Sequence, residues 1–292
     1  MKPDFTGMGV AMVTPFTSSG GVDYSALQRL TNHLVSNGTN YLVVHGTTGE
    51  SVVLNDEERS ATLEFILENN NKKLPVVLGV GGNDTAEVVR MLDTADLSGV
   101  NAILSVSPYY NKPTQEGLYQ HFMKVADAAP VPVILYNVPG RTGRNMREET
   151  TLRLANDHEN IIAIKEASGS FNQIMSIIQK APAGFKVICG DDAIALPAIS
   201  VGAVGVISVV GNAYPKEFSQ MVALALKGDF TTANKIHYRL LDIIQHLFIE
   251  SNPSGIKEVL RCLNISGNNT RLPVVPVSDD LAKKIKVLVD QF

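Results

Sequence analysis

Residues 161–166 read IIAIKE, an apolar run that ends in two charged side chains. A short, continuous run of this kind is typical of a parallel strand that is covered on both faces. An ammonium group at the end of such a strand is costly to bury, because desolvation disfavours its charged form. An uncharged amine can attack a carbonyl carbon, so Lys165 is a candidate Schiff-base nucleophile. The alternative is a lysine whose flexible stem reaches solvent.

Seven further runs share this short character, rich in Val and Ile. With the first run extended to residue 167, the predicted strands are residues 9–15, 41–46, 75–80, 102–107, 131–138, 161–167, 185–191 and 205–210. Most strands are followed by a segment in which apolar residues recur at helical spacing, namely 24–36, 56–69, 85–98 and 115–128. Asn55 is the predicted N-cap of the second of these helices.

Eight strand–helix units over about 225 residues predict an α/β fold of the (β/α)8 TIM barrel class. The second candidate is a doubly wound open sheet, but the sequence lacks the GxGxxG motif expected near its first strand. The alternation stops near residue 228. We therefore predict a catalytic barrel domain over 1–228 and a C-terminal helical appendage over 229–292, with helices at 231–251, 256–263 and 278–291. The apolar stripe of the first of these helices suits packing on the barrel or on a partner subunit.

Composition excludes several classes of protein. The 292-residue chain is 45% hydrophobic and 18% charged, with a formal net charge of −4. It has no basic patch for nucleic acid and no apolar segment near the ~20 residues of a membrane span. The absence of a signal-peptide pattern and the presence of only two cysteines predict a cytoplasmic protein. The six histidines lack HxxxH or HxH spacing, so no metal site is expected.

Active sites of TIM barrels lie at the C-terminal ends of the strands. These ends carry GTTGES at 46–51, SPYYNKP at 107–113, YNVPGRTG at 136–143, Lys165 and GDD at 190–192. A Schiff-base mechanism needs an amine, a proton shuttle and donors for a substrate carboxylate. Tyr136 is the candidate shuttle, the turn at 46–49 is a candidate carboxylate site, and Arg141 offers a planar fork for a second carboxylate.

Each of these features also has an interpretation without function. The turn at 46–49 suits a simple connection, the tyrosine pair at 109–110 suits packing at a subunit contact, and Arg141 suits a surface cation. No other carboxylates join the aspartate pair at 191–192, so helix N-capping is favoured over a metal site. Residues 80–83 resemble a phosphate loop but lack the Lys-Ser/Thr of a P-loop. The loops after strands 7 and 8 are not rich in glycine, so we expect an unphosphorylated substrate.

Six motifs occur in one order along the chain: GTTGES, SPYYNKP, YNVPGRTG, IKEASG, GDD and GVISV. With the segment at 9–15 they resemble the dihydrodipicolinate synthase family of pyruvate-dependent class I aldolases, within the N-acetylneuraminate lyase superfamily. The resemblance runs over almost the whole chain. One such motif is weak evidence, whereas six in register are specific.

The resemblance implies a role for each catalytic residue. Lys165 matches the lysine that forms an imine with pyruvate, and Tyr136 matches the general acid/base. Thr48 matches the threonine that links this tyrosine to a second one, Tyr110. In the family the second tyrosine reaches in from the neighbouring subunit.

Substrate contacts are implied in the same way. Thr47 and Thr48 would contact the carboxylate of pyruvate, and Arg141 matches the arginine that receives the carboxylate of L-aspartate-4-semialdehyde. Gly190 and Ile207 match positions whose main chain lines the pocket near the lysine.

The implied reaction condenses pyruvate with L-aspartate-4-semialdehyde to 4-hydroxy-tetrahydrodipicolinate, in lysine and diaminopimelate biosynthesis. The enzyme would be a lyase that works through the covalent imine on Lys165, with no metal or organic cofactor. Family members usually form a homotetramer built from two tight dimers. A shared Tyr110 would make the dimer part of the active site.

Regulation by L-lysine is also implied, with changes. Four residues match positions that bind the inhibitor in sensitive members: Ser51, Asn83, Glu87 and Tyr109. However, Asp56 and Arg59 occupy positions that are histidine in some of those members, and Val52 also differs. We expect inhibition that is weakened or altered.

Two other functions compete with this one. N-acetylneuraminate lyase or a 2-keto-3-deoxy sugar acid aldolase would share Lys165 and Tyr136. Those enzymes usually lack an arginine at the position of Arg141, and their turn often has serine before the threonine. A non-catalytic barrel that senses a keto acid is the third option, but it would not need the proton relay through Thr48 and Tyr110.

Overall fold

A closed barrel of eight parallel strands forms the centre of the computed structural model, which describes residues 4–292. The strands are β1 Gly7–Ala11, β2 Tyr41–Val44, β3 Val76–Gly79, β4 Ala102–Val106, β5 Val133–Asn137, β6 Ile161–Glu166, β7 Lys186–Cys189 and β8 Gly205–Ser208. They follow one another around the barrel in chain order, and β1 closes it by pairing with β8. The predicted (β/α)8 barrel is confirmed, although β1 begins and ends earlier than the predicted 9–15.

Helices surround the barrel and follow it in the C-terminal region. They are α1 Tyr24–Ser36, α2 Asp56–Asn70, α3 Thr85–Thr94, α4 Gln115–Ala128, α5 Pro139–Thr142, α6 Glu148–Asp157, α7 Phe171–Lys180, α8 Ala195–Ser200, α9 Pro215–Leu226, α10 Phe230–His246, α11 Ser254–Cys262 and α12 Asp279–Gln291. The predicted N-cap of α2 is confirmed, because the Asn55 side chain accepts a hydrogen bond from the Glu58 backbone at 2.8 Å. The predicted end of α3 at residue 98 is wrong, since Ala95 already has an extended backbone.

The N-terminal end of the barrel is filled by aromatic rings. Phe5 and Tyr41 are almost fully buried and meet edge to face, with ring centroids 5.3 Å apart. Gly9 makes this possible, because a Cβ there would lie 2.1 Å from the Tyr41 ring. Every second residue of a strand faces the barrel interior, so Ala163 and Lys165 of β6 share the inner face. The space for a substrate therefore lies at the C-terminal end.

The C-terminal region packs on the barrel within one chain. Leu240 and Ile244, from the predicted apolar stripe of α10, are buried, and α10 packs against α9 and α12. The helix ends at His246, five residues before its predicted end. The division at 228/229 stays a prediction. Within residues 4–292, no helix has the length and hydropathy that crossing a bilayer requires.

Candidate active site

Lys165 and Tyr136 lie side by side on neighbouring strands inside the barrel. Val133 pairs with Ile161, but the register then shifts, so that Tyr136 pairs with Lys165 instead of with Ile164. An irregularity of this kind re-aims side chains. Both side chains are buried, and the Lys165 Nζ lies 4.1 Å from the centroid of the Tyr136 ring. The fold thus brings together the two residues that the sequence predicts to be the nucleophile and the proton shuttle.

Two other predicted residues surround this pair. A Cβ at Gly190 would lie 3.0 Å from Cε of Lys165 and 2.6 Å from Cβ of Ala167, so a larger residue would crowd the lysine stem. Ile207 is fully buried in the same inner cluster as Tyr136. Gly190 therefore lies against the lysine stem and Ile207 lies in the layer that contains Tyr136. That their main chain lines a substrate pocket stays a prediction.

Glu166, the second charged residue at the end of β6, faces away from the barrel interior. Its carboxylate accepts hydrogen bonds from Asn137 Nδ2 at 3.0 Å, Gln173 Nε2 at 2.8 Å and the Ser168 backbone at 2.7 Å. It is fully buried, and these bonds replace its lost hydration. This explains how a buried strand can end in two charged residues.

The predicted carboxylate-binding turn follows β2 as a 3₁₀ turn over Thr47–Gly49. The Thr14 hydroxyl donates to the Gly49 carbonyl at 2.6 Å and fixes the end of the turn. Thr48 is buried, and its Oγ1 accepts a hydrogen bond from Asn252 Nδ2 at 3.0 Å. The turn is therefore an ordered element. Besides connecting β2 to α2, it contacts the C-terminal region through Asn252.

The predicted proton relay is only partly assembled in the single chain. Between residues 4 and 292, no hydrogen bond joins the Thr48 hydroxyl to Tyr136. Tyr110 is 88% exposed, with a left-handed backbone at φ +71°. The relay through these three residues stays a prediction.

A cavity of about 510 Å³ opens at the C-terminal end of the barrel. Seven predicted residues line it: Thr47, Tyr136, Arg141, Ser51, Asn83, Glu87 and Tyr109. The other five predicted residues do not: Lys165, Thr48, Tyr110, Gly190 and Ile207. One cavity thus joins the predicted second-substrate arginine to all four predicted regulatory residues, which the sequence presented as two separate groups.

Charged pairs already occupy the regulatory side of this cavity. Arg90 binds the Glu87 carboxylate through two hydrogen bonds of 2.6 and 2.7 Å, which hold the pKa of Glu87 below its usual value. Arg59 donates to the Ser51 carbonyl at 3.0 and 3.2 Å and lies 3.6 Å from Asp56. A ligand that binds Glu87 must therefore compete with Arg90. A ligand that binds Arg59 must compete with the Ser51 carbonyl and Asp56.

His45 also lines the cavity and was not singled out from the sequence. Its Nε2 lies 2.8 Å from the Thr62 hydroxyl, and burial lowers its pKa to about 4. The imidazole is therefore neutral at physiological pH. No periodic or spacing signal marks a single histidine at the end of a strand.

Asn252 is a second residue that the sequence did not reveal. Besides its bond to Thr48, its backbone carbonyl accepts a bond from Arg141 Nη2 at 3.5 Å. Its Oδ1 is buried and makes no hydrogen bond within the described chain. The sequence predicts only that a helix ends at residue 251, directly before Asn252.

The aspartate pair after β7 binds backbone N–H groups. N-capping was predicted for the pair, and only Asp191 is an N-cap. Asp191 accepts a bond from the Ala193 backbone at 2.9 Å and so caps the turn that follows. Asp192 is buried and accepts bonds from the backbone of Val209 and Val210, while burial raises its pKa to about 6.

Comparison with known proteins gives one consistent result. The model of the family described as the dihydrodipicolinate synthetase family matches residues 4–292. A 4-hydroxy-tetrahydrodipicolinate synthase of Flavobacterium psychrophilum is 53% identical over 288 residues, which cover 99% of this chain and 98% of that protein.

Solved structures agree with the sequence match. The chloride-inhibited dihydrodipicolinate synthase of Acinetobacter baumannii complexed with pyruvate has a TM-score of 0.95 and 37% identity, covering 98% of both chains. The enzyme of Cyanidioschyzon merolae with lysine bound has a TM-score of 0.94 and 36% identity, covering 99% of both chains.

Proposed function

We propose that this chain, which belongs to the dihydrodipicolinate synthetase family, condenses pyruvate with L-aspartate-4-semialdehyde to 4-hydroxy-tetrahydrodipicolinate. This lyase reaction serves lysine and diaminopimelate biosynthesis. The observation that carries the proposal is the buried amine of Lys165 beside the phenol of Tyr136. The Acinetobacter baumannii relative has been solved with pyruvate, which supports a keto acid as the first substrate.

The first half of the proposed reaction loads pyruvate. The amine of Lys165 attacks the C2 carbonyl, and the carbinolamine that forms loses water to give an imine. Loss of a proton from the methyl carbon then gives the enamine. Tyr136 moves these protons, because it is the hydroxyl-bearing side chain beside the amine. Thr47 and Thr48 hold the pyruvate carboxylate.

The second half joins the two substrates. The enamine carbon attacks the aldehyde of L-aspartate-4-semialdehyde, whose carboxylate Arg141 binds from its place in the cavity wall. The amino group of that substrate then displaces Lys165 by transimination, which closes the ring and restores the free amine. The proposed steps use no metal and no organic cofactor.

A coupled assay tests this function. Product formation from pyruvate and L-aspartate-4-semialdehyde is measured beside cleavage of N-acetylneuraminate and of a 2-keto-3-deoxy sugar acid. We expect turnover in the first assay alone, and a covalent adduct when pyruvate and borohydride are added together. Cleavage of either sugar acid with no condensation would replace the proposal by another aldolase activity. Absence of both turnover and adduct would favour a keto-acid sensor.

The proposed enzyme is a cytoplasmic homotetramer, a dimer of dimers. The highly exposed Tyr110 at the barrel mouth supports a contribution to the site of a neighbouring subunit. Two free thiols, Cys189 and Cys262, suit a reducing compartment. A monomer at micromolar concentration in analytical ultracentrifugation would contradict this assembly.

L-Lysine is the proposed inhibitor, binding weakly in the cavity beside Ser51, Asn83, Glu87 and Tyr109. The Cyanidioschyzon merolae relative has been solved with lysine bound, which supports this ligand. Because Arg90 already holds the Glu87 carboxylate, an ammonium group must displace a guanidinium to bind there.

Titration with L-lysine checks this proposal. We expect half-inhibition near or above about 1 mM, the upper end of common metabolite affinities. Arg90→Ala should lower that concentration about two- to fivefold, because it removes the guanidinium that competes for Glu87, and exposed ion pairs of this kind are weak. Arg153→Ala removes a comparable exposed pair with Glu116 and serves as control. Half-inhibition of the unmodified enzyme far below 1 mM would contradict weak binding.

A further inference from the structure

Glu50 and Lys257 form a buried ion pair beside the 3₁₀ turn Thr47–Gly49, which we call the threonine turn. Their side chains are 3% and 0% exposed, and the Lys257 Nζ donates to Glu50 Oε2. Glu50 is the residue that directly follows the 3₁₀ turn Thr47–Gly49, and its φ of +51° is a left-handed conformation that non-glycine residues rarely adopt. A strained residue in a buried ion pair at the edge of a site indicates a purpose beyond folding.

The pair is well supplied with hydrogen bonds. The Lys257 Nζ also donates to the Asn269 carbonyl at 2.8 Å and lies 4.3 Å from the Phe16 ring centroid. The other Glu50 oxygen accepts a bond from the Arg271 backbone at 3.2 Å. Burial still dominates for the lysine, lowering its pKa to about 8. A buried ion pair of this kind is weak evidence for a stability role, because apolar residues of similar volume often serve equally well.

The pair connects two segments that meet at Thr48. Glu50 ends the turn that contains Thr48, and Lys257 lies on the first turns of α11, where its backbone donates to the Pro253 carbonyl at 3.0 Å. Immediately before that proline, Asn252 donates its side-chain amide to the Thr48 hydroxyl. The ion pair and this hydrogen bond are therefore two ties between the same turn and the same stretch of the C-terminal region.

We propose that the Glu50–Lys257 pair is a positioning element that holds the threonine turn against Asn252 and so fixes the Thr48 hydroxyl for binding pyruvate. Neither member of the pair needs to touch a substrate. The proposal rests on the proposed function, since it assigns the turn to pyruvate. It gives the C-terminal region a part in the chemistry of the barrel.

The main experiment neutralises both members at once. A single substitution would leave an uncompensated buried charge, whereas Glu50→Gln with Lys257→Met removes both charges and roughly keeps their volumes. The rate of pyruvate trapping by borohydride is measured as a function of pyruvate concentration. We expect the concentration for half-maximal trapping to rise at least tenfold, while near-UV circular dichroism stays unchanged.

A second ion pair on the same helix, with a buried glutamate and a half-exposed arginine, provides the control. Glu258 is also buried and binds Arg261 through two hydrogen bonds, but it does not contact the threonine turn. Glu258→Gln with Arg261→Met should leave the pyruvate dependence of trapping within twofold of the unmodified protein. An equal rise in both double variants would overturn the proposal, because it would show general loosening of α11.

Asn252→Ala keeps the proposal testable if the first double variant fails to fold. It removes only the tie to Thr48, from a side chain whose Oδ1 has no partner in the described chain. We expect the same rise of at least tenfold. A folded Glu50→Gln/Lys257→Met variant, or Asn252→Ala, that traps pyruvate like the unmodified protein would overturn the proposal. If the unmodified protein traps no pyruvate at all, the proposed function fails first.

Discussion

Lys165→Ala is expected to abolish covalent trapping of pyruvate and to lower turnover by more than about 10³-fold. The physical reason is that no other amine is placed beside Tyr136 on the inner face of the barrel in the structure between residues 4 and 292. Without the nucleophile neither the imine nor the enamine can form. The measurement is intact-protein mass spectrometry after reductive quenching with pyruvate, combined with the coupled assay.

A lysine on the adjacent strand supplies the control. Lys186 begins β7 at the opposite end of the barrel, where it pairs with Asp4. Lys186→Ala should keep both the mass gain and the turnover. Near-normal turnover of Lys165→Ala would contradict the imine mechanism, and a pyruvyl mass gain on another lysine would move the nucleophile elsewhere.

Arg141→Ala is expected to separate the two substrates. Pyruvate trapping should remain, because Lys165 and the threonine turn are unchanged. Use of L-aspartate-4-semialdehyde should fall, because its carboxylate loses charge-assisted hydrogen bonds worth about 1.5–3 kcal/mol each. Loss of one such bond corresponds to a decrease of about 10- to 150-fold in kcat/KM for that substrate. Steady-state kinetics with each substrate varied in turn measures this difference.

Arg147→Ala is the matched control for this prediction. Arg147 is an exposed arginine a few residues further along the same segment, and it does not line the cavity. Its removal should leave kcat/KM for both substrates within about twofold. If Arg141→Ala behaved in the same way, the assignment of the second substrate would be wrong.

The barrel was predictable because its signals are local. Buried parallel strands read as short continuous apolar runs, and β6 and β5 carry these runs without ambiguity. Helix ends that depend on side-chain caps, such as the start of α2 at Asn55, were also predictable. The ends of α3 and α10 were not, since helical spacing continues beyond Thr94 and His246 although the backbone leaves the helix there.

The pairing of Tyr136 with Lys165 illustrates what sequence could not supply. Both residues were selected from their positions at strand ends, but their adjacency depends on one register shift after Val133. Without that shift Tyr136 would pair with Ile164, whose side chain belongs to the outer layer. Register depends on contacts between strands that are distant in the chain, and no local pattern encodes it.

Asn252 and the Glu50–Lys257 pair were hidden for a related reason. Their contacts span more than 200 residues of chain, so spacing along the sequence carries no trace of them. A lysine near a proline in a C-terminal helix reads as an ordinary solvated residue. Only the packing of α11 onto the turn after β2 reveals that it is fully buried.

The rings of Phe5 and Tyr41 close the N-terminal end of the barrel. Substrates therefore cannot pass through the barrel, and molecules that reach Lys165 must enter and leave by the C-terminal opening. The water released on imine formation, the second substrate and the finished ring therefore share one route. This shared opening is a structural reason for an ordered reaction, in which pyruvate binds, condensation follows and the product then leaves.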